Sequence, residues 1–164
     1  MKTINFLFIS IIFLASCTNN ASIEQEAVSE TGEMQLKNIK KGNIQTFTGK
    51  FLCTESDQTI YANRDVANEW ELFIFNWEEN NQVSINSYND YYLTADLANE
   101  GEVTATRKEK NEWEIFVIEE LQDNYIAIKA SNGKYVTVDS STLKLIAKSD
   151  VVGDNEKFKL VPTN

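Results

Sequence analysis

Residues 42–164 predict an all-β domain made of three copies of one four-stranded unit. Three observations carry the prediction: a repeat of 42–43 residues, short segments that alternate apolar and polar side chains, and turn-forming residues between them. The repeat is sharpest where Asn68-Glu69-Trp70-Glu71-Leu72-Phe73 returns 43 residues later as Asn111-Glu112-Trp113-Glu114-Ile115-Phe116. A third copy, Asn155-Glu156-Lys157-Phe158, follows without the tryptophan.

Each unit opens on an apolar strand, around Ile44, around Ile85 in Val83-Ser84-Ile85, and around Ile128 in Ile126-Ala127-Ile128. The second element is Gly49-Lys50-Phe51-Leu52, then Asp90-Tyr91-Tyr92-Leu93, then Gly133-Lys134-Tyr135-Val136. Ile60-Tyr61-Ala62, Val103-Thr104-Ala105 and Leu145-Ile146-Ala147 form the third. The fourth is the Trp-Glu segment, running on through Phe73-Ile74-Phe75, Phe116-Val117-Ile118 and Phe158-Lys159-Leu160-Val161. All are short and rich in β-branched or aromatic residues, which suits strands. Thr48-Gly49, Glu79-Asn80-Asn81, Asn89-Asp90 and Ser131-Asn132-Gly133 supply the turns. Propellers also use four strands per unit but normally need at least four units. Three units, 42–82, 83–125 and 126–164, predict a single β-trefoil in which paired strands close a barrel and hairpins cap one end.

Slots filled alike in every unit are expected to build the core. Phe73, Phe116 and Phe158 belong there, with Leu52, Leu93, Val136 and the alanines Ala62, Ala105 and Ala147; burying each large side chain contributes about 1.5–3 kcal/mol. The repeated glutamates Glu71, Glu114 and Glu156 are expected to cap turn amides or pair with nearby lysines. Reading their segments as strands puts Glu69 beside Glu71 and Glu112 beside Glu114, with no cleft between them for glycosidase chemistry. Cys53 stands in the slot of Thr94 and Thr137 and reads as a filler on that strand's other face.

Upstream of the repeat, residues 1–16 read as a secretory signal. Lys2 gives the positive start, and an apolar stretch of about twelve residues follows to Ala15. That is too short for a bilayer, which needs roughly 20 residues. Leu14-Ala15-Ser16-Cys17 resembles the bacterial lipobox, which implies cleavage before Cys17 and acylation of its thiol. Several acyl chains would make the attachment stable. Residues 17–41 are polar without a sustained period and read as a lipidated N-terminus and flexible tether. The chain is therefore expected in the bacterial envelope, at the outer membrane, held by lipid on Cys17.

Composition narrows the function. No histidine is present, which removes Ser–His and Cys–His nucleophile pairs and imidazole metal sites. Fifteen Lys and Arg against 25 Asp and Glu leave a net charge of −10, unsuited to nucleic acid. The oxygen-rich loops Asp96 to Glu102 and Asp150 to Glu156 lack EF-hand spacing. We expect a monomeric binding protein, not an enzyme, with no cofactor and no metal.

The repeated glycine, basic residue, aromatic and leucine, then alanine, then Trp-Glu-x-Phe resemble the fascin-like β-trefoil family over about 42–161. The resemblance implies the trefoil fold. Fascins carry four trefoils in tandem, so their actin bundling is not implied for one unit-set on a lipid anchor.

Candidate functional residues are those that break the three-fold pattern. Trp77 faces no aromatic counterpart, its slot-mates being Glu120 and Pro162. Tyr88, Asn89, Asp90 and Tyr91 form an aromatic, hydrogen-bonding turn in unit 2, with Tyr91 where the other units have Lys50 and Lys134. Flat rings beside amide and carboxylate groups suit a sugar, which offers an apolar face and hydroxyls. A glycan ligand is the first expectation. The alternative is a protein ligand, the chain acting as an inhibitor or immunity lipoprotein against a basic partner, which the acidic charge would steer.

Overall fold

The computed structural model describes residues 35–163; the signal, Cys17 and the first part of the tether lie outside the described residues. Twelve strands follow one another. Unit 1 holds β1 (Lys41–Thr46), β2 (Phe51–Thr54), β3 (Ile60–Arg64) and β4 (Phe73–Trp77). Unit 2 holds β5 (Gln82–Ser87), β6 (Tyr92–Asp96), β7 (Glu102–Arg107) and β8 (Ile115–Glu120). Unit 3 holds β9 (Ile126–Lys129), β10 (Tyr135–Val138), β11 (Leu145–Ser149) and β12 (Phe158–Pro162). Among the described residues the helical elements are single 3-10 turns.

The first and last strands of the three units close a six-stranded antiparallel barrel. Its ring runs β1–β4–β5–β8–β9–β12 and returns to β1. The hairpins β2–β3, β6–β7 and β10–β11 form the cap. They meet through Ile146 opposite Glu102 and through the bridges Thr59–Thr104 and Tyr61–Lys144. Equivalent amides tie each hairpin to the next: Ala62, Ala105 and Ala147 donate to the carbonyls of Leu143, Gln58 and Gly101. The fold is a β-trefoil, as the repeat predicts.

The core residues are those of the shared slots. Phe73, Phe116, Phe158, Leu52, Leu93, Val136 and the three alanines are all buried. Cys53 is buried too, on the other face of β2. Burial, then the neighbouring carboxylates Glu71 and Glu55, push its thiol up to about 12 from an ordinary value of 9.0. Two results are expected. Iodoacetamide at pH 8 should label Cys53 only after denaturation, since the thiol is the unreactive form. Because the folded value is the raised one, its stabilising contribution is complete below pH 9 and declines as pH rises from there toward 12. Denaturant midpoints measured across that range check the sign.

Gly42 shows how close the barrel strands approach. A Cβ there would lie 2.5 Å from the Val161 carbonyl oxygen on β12. Gly42→Ala is expected to destabilise the fold by about 1–3 kcal/mol, the range for overpacking, measurable by urea unfolding.

Two features depart from the sequence reading. The Trp-Glu segments are turns, not strands: Glu112–Glu114 and Asp154–Glu156 are 3-10 turns, and Glu71 follows the same pattern. The physical reason is the glutamate itself. Glu71, Glu114 and Glu156 each accept a hydrogen bond from the amide three residues upstream, on Asn68, Asn111 and Gly153, at 2.7, 2.8 and 2.7 Å. They do cap turn amides, but the cations beside two of them are arginines: Arg64 Nε lies 3.4 Å from Glu71 and Arg107 Nε 3.6 Å from Glu114. The second departure is at the edge of the domain, where Ile39 is buried and Leu36 packs on the core.

Candidate functional site

The Trp-Glu turn matters because it faces the tryptophan outward. In unit 1 the turn is clamped on every side. Glu71 holds the Asn68 amide, the Asn43 side chain donates to the Glu71 carbonyl at 2.8 Å, and the Thr54 amide donates to the Trp70 carbonyl at 3.0 Å. Trp70 is left 41% exposed on a fixed backbone. Glu71→Ala would take the cap from the Asn68 amide, and a loss of about 0.5–2 kcal/mol is expected in thermal unfolding.

Across the unit boundary lies the turn between β5 and β6. Ser87 organises it: its amide and hydroxyl both donate to the Tyr91 carbonyl, at 2.8 and 3.0 Å, and the hydroxyl lies 2.6 Å from the Asn89 side-chain oxygen. Asp90 takes a left-handed conformation, φ 65°, in the slot that Gly49 and Gly133 fill elsewhere; a short polar side chain tolerates this better than a bulky one. The turn presents Tyr88 to Trp70. The two rings stack with centroids 6.3 Å apart and planes inclined by 16°.

The structure thus brings Tyr88, Asn89 and Asp90 together on one turn and adds Trp70 from the preceding unit. Tyr91 is on the same turn but serves from beneath: it packs on the core, and Lys108 Nζ sits 3.7 Å from its ring centroid. Trp77 stands apart. On the β4–β5 ladder it pairs with Val83, while Phe73 pairs with Ser87 next to the Tyr88 turn, so Trp77 and Tyr88 lie at opposite ends. Its indole N–H donates to the Ile39 carbonyl at 2.8 Å and its ring stacks on Phe75. That is a latch for the incoming chain.

Trp70 escaped the sequence reading because it shares its slot with Trp113 and so resembles framework. A usable signal was present: the third copy has Asn155 in that slot, and core slots do not switch from tryptophan to asparagine.

Three-fold symmetry supplies two comparison sites. The slots of Trp70 and Tyr88 are filled by Trp113 and Ser131 at the next boundary and by Asn155 and Phe47 at the last. Trp113 lies beneath the Arg107 guanidinium, 5.3 Å from its ring centroid. Phe47 and Asn155 line a groove of about 230 Å³ with Leu143. Only the first boundary has an aromatic in both slots. Among the described residues no group of three or more Cys, Asp or Glu could hold a metal ion.

The model of one protein family, Domain of unknown function (DUF7910), matches residues 30–160. A search of curated proteins finds no match. Among solved structures the chain is similar to a designed 3-fold symmetric protein, ThreeFoil. The TM-score is 0.68 at 15% identity, over 76% of this chain and 99% of that one. It is also similar to part of a mosquitocidal holotoxin, with a TM-score of 0.67 at 12% identity, over 77% of this chain but 17% of the toxin chain. At these identities both likenesses concern the fold.

Proposed function

The chain belongs to the DUF7910 family, and we propose that it is a non-catalytic binding protein of the bacterial envelope whose ligand is a carbohydrate. One observation carries this reading: the stacked pair of exposed Trp70 and half-buried Tyr88, fixed on two clamped turns at the single boundary that has both aromatics. Rings held in advance cost little conformational entropy when a ligand arrives. Asn89 and Asp90 stand beside them as partners for sugar hydroxyls. The repeated glutamates are engaged as caps, which supports a binding role over hydrolysis. Lipid on Cys17 and the tether upstream of Leu36 would hold the trefoil at the outer membrane as a monomer. The repeated Gly-Lys-aromatic and Trp-Glu-x-Phe slots support placing the trefoil near the fascin-like ones, without their actin bundling.

A glycan array probed with the full-length protein tests the reading. Glycans should be captured by the wild type and lost in Trp70→Ala and Tyr88→Ala. An empty array, or capture that both variants retain, overturns it.

A second reading is a basic protein partner. It is favoured by exposed carboxylates without a cation partner among the described residues, Glu69, Glu100, Glu112 and Asp123 among them. Affinity capture from envelope extracts at low and high salt checks it. A basic protein released by salt supports it, and an empty eluate counts against it.

A further inference from the structure

Unit 2 departs from the other units at one more pair of positions, and the change alters the charge beside the aromatic pair. In unit 1 the turn lysine Lys50 pairs with Asp65 at 2.6 Å. In unit 3 Lys134 pairs with Asp150 in the same way. The corresponding slots of unit 2 hold Tyr91 and Lys108. An aromatic stands where the lysines stand, and a lysine where the aspartates stand.

The consequence is local and electrostatic. Lys108 Nζ rests over the Tyr91 ring and donates to the carbonyls of Asn89 and Asp90 at 3.3 and 3.4 Å. Among the described residues no carboxylate lies within ion-pair distance of it. An ammonium group has three donors, and two are accounted for. A positive charge without a counter-ion therefore sits on the turn that carries Tyr88. In units 1 and 3 the turn lysine is neutralised by the aspartate that stands in the slot of Lys108.

Resting on the carbohydrate reading above, we infer that the site selects sugars carrying an anionic group, a carboxylate or a sulfate. The sugar ring stacks against Trp70 and Tyr88, and the anionic group pairs with Lys108. Charge-assisted hydrogen bonds are shorter and stronger than neutral ones, so such a ligand gains a contact that a neutral sugar lacks. The net charge of −10 opposes anions at long range. Physiological salt screens that repulsion beyond about 8 Å, leaving the nearest charges to decide. Asp90 is the opposing near charge, and Asp90→Asn is expected to tighten binding of acidic glycans.

The test pairs neutral glycans with counterparts bearing uronate or sulfate on one array, probed with the full-length protein. The acidic counterparts should bind at least about tenfold more tightly, and the uronate and sulfate arms identify the anion. Tyr91→Lys with Lys108→Asp rebuilds the ion pair of units 1 and 3, so it has a precedent in the fold. That double variant should lose the acidic preference while keeping neutral binding, and Lys108→Met should do the same. Equal wild-type binding of neutral and acidic members overturns the inference alone, as does a preference that survives in both variants. No capture of any glycan overturns the carbohydrate reading and this inference together.

Discussion

Trp70→Ala is expected to weaken glycan binding by roughly thirtyfold, about 2 kcal/mol, the level at which a central aromatic contact dominates an interface. The fold should hardly change, because Trp70 is 41% exposed and its backbone is clamped by Asn43, Thr54 and Glu71 rather than by its own ring. Isothermal titration calorimetry with a glycan captured on the array, beside a thermal melt, separates the two effects. Trp113→Ala is the control. It removes an equivalent tryptophan, but one beneath Arg107 and paired by symmetry with Ser131, and affinity should stay within twofold of the wild type, inside about 0.5 kcal/mol. Equal losses from both substitutions would mean that the aromatic pair is not the site.

The largest effect on stability is expected from Phe116→Ala. Phe116 is fully buried on β8 and occupies the slot of Phe73 and Phe158, where the three units meet in the core. Truncating a buried phenylalanine typically costs about 3–5 kcal/mol, because transfer energy is lost and a cavity is left behind. Against a usual total of about 5–15 kcal/mol this is a large share of stability. Urea unfolding should show the midpoint fall with the slope little changed. A loss below about 1 kcal/mol would contradict the placement of this slot at the centre of packing.

The fold was legible because the chain states it three times. A phenylalanine, a leucine or valine and an alanine return at one spacing, and each is buried where the repeat expects it. The candidate site was legible only in part, and for a physical reason. Residues break a three-fold pattern from two different causes. Tyr88 and Asp90 break it on the turn between β5 and β6, at positions outside the buried core. Trp77 breaks it because the segment leading into β1 arrives there and offers the Ile39 carbonyl, and units 2 and 3 have no such arriving segment. From composition both look like candidates, and only the hydrogen bond tells them apart. Trp70 was hidden by the opposite effect. Trp70 recurs as Trp113 and so does not stand out as a break in the repeat, whereas the Glu71 cap on Asn68 turns the segment and leaves the ring exposed. The exchange of charge between Tyr91 and Lys108 is half visible in the sequence, because Tyr91 lies within the repeated turn motif and Lys108 lies outside every repeated element.

The central claim is that broken symmetry at one boundary makes one binding surface, and the indole N–H signals test it most directly. The chain has three tryptophans, Trp70, Trp77 and Trp113, so a ¹⁵N-labelled sample gives three indole N–H resonances. On saturation with a captured glycan, the Trp70 signal should move while that of Trp77, bonded to the Ile39 carbonyl, stays in place. Movement of the Trp77 signal with Trp70 unchanged, or no movement of any of the three, would contradict the account.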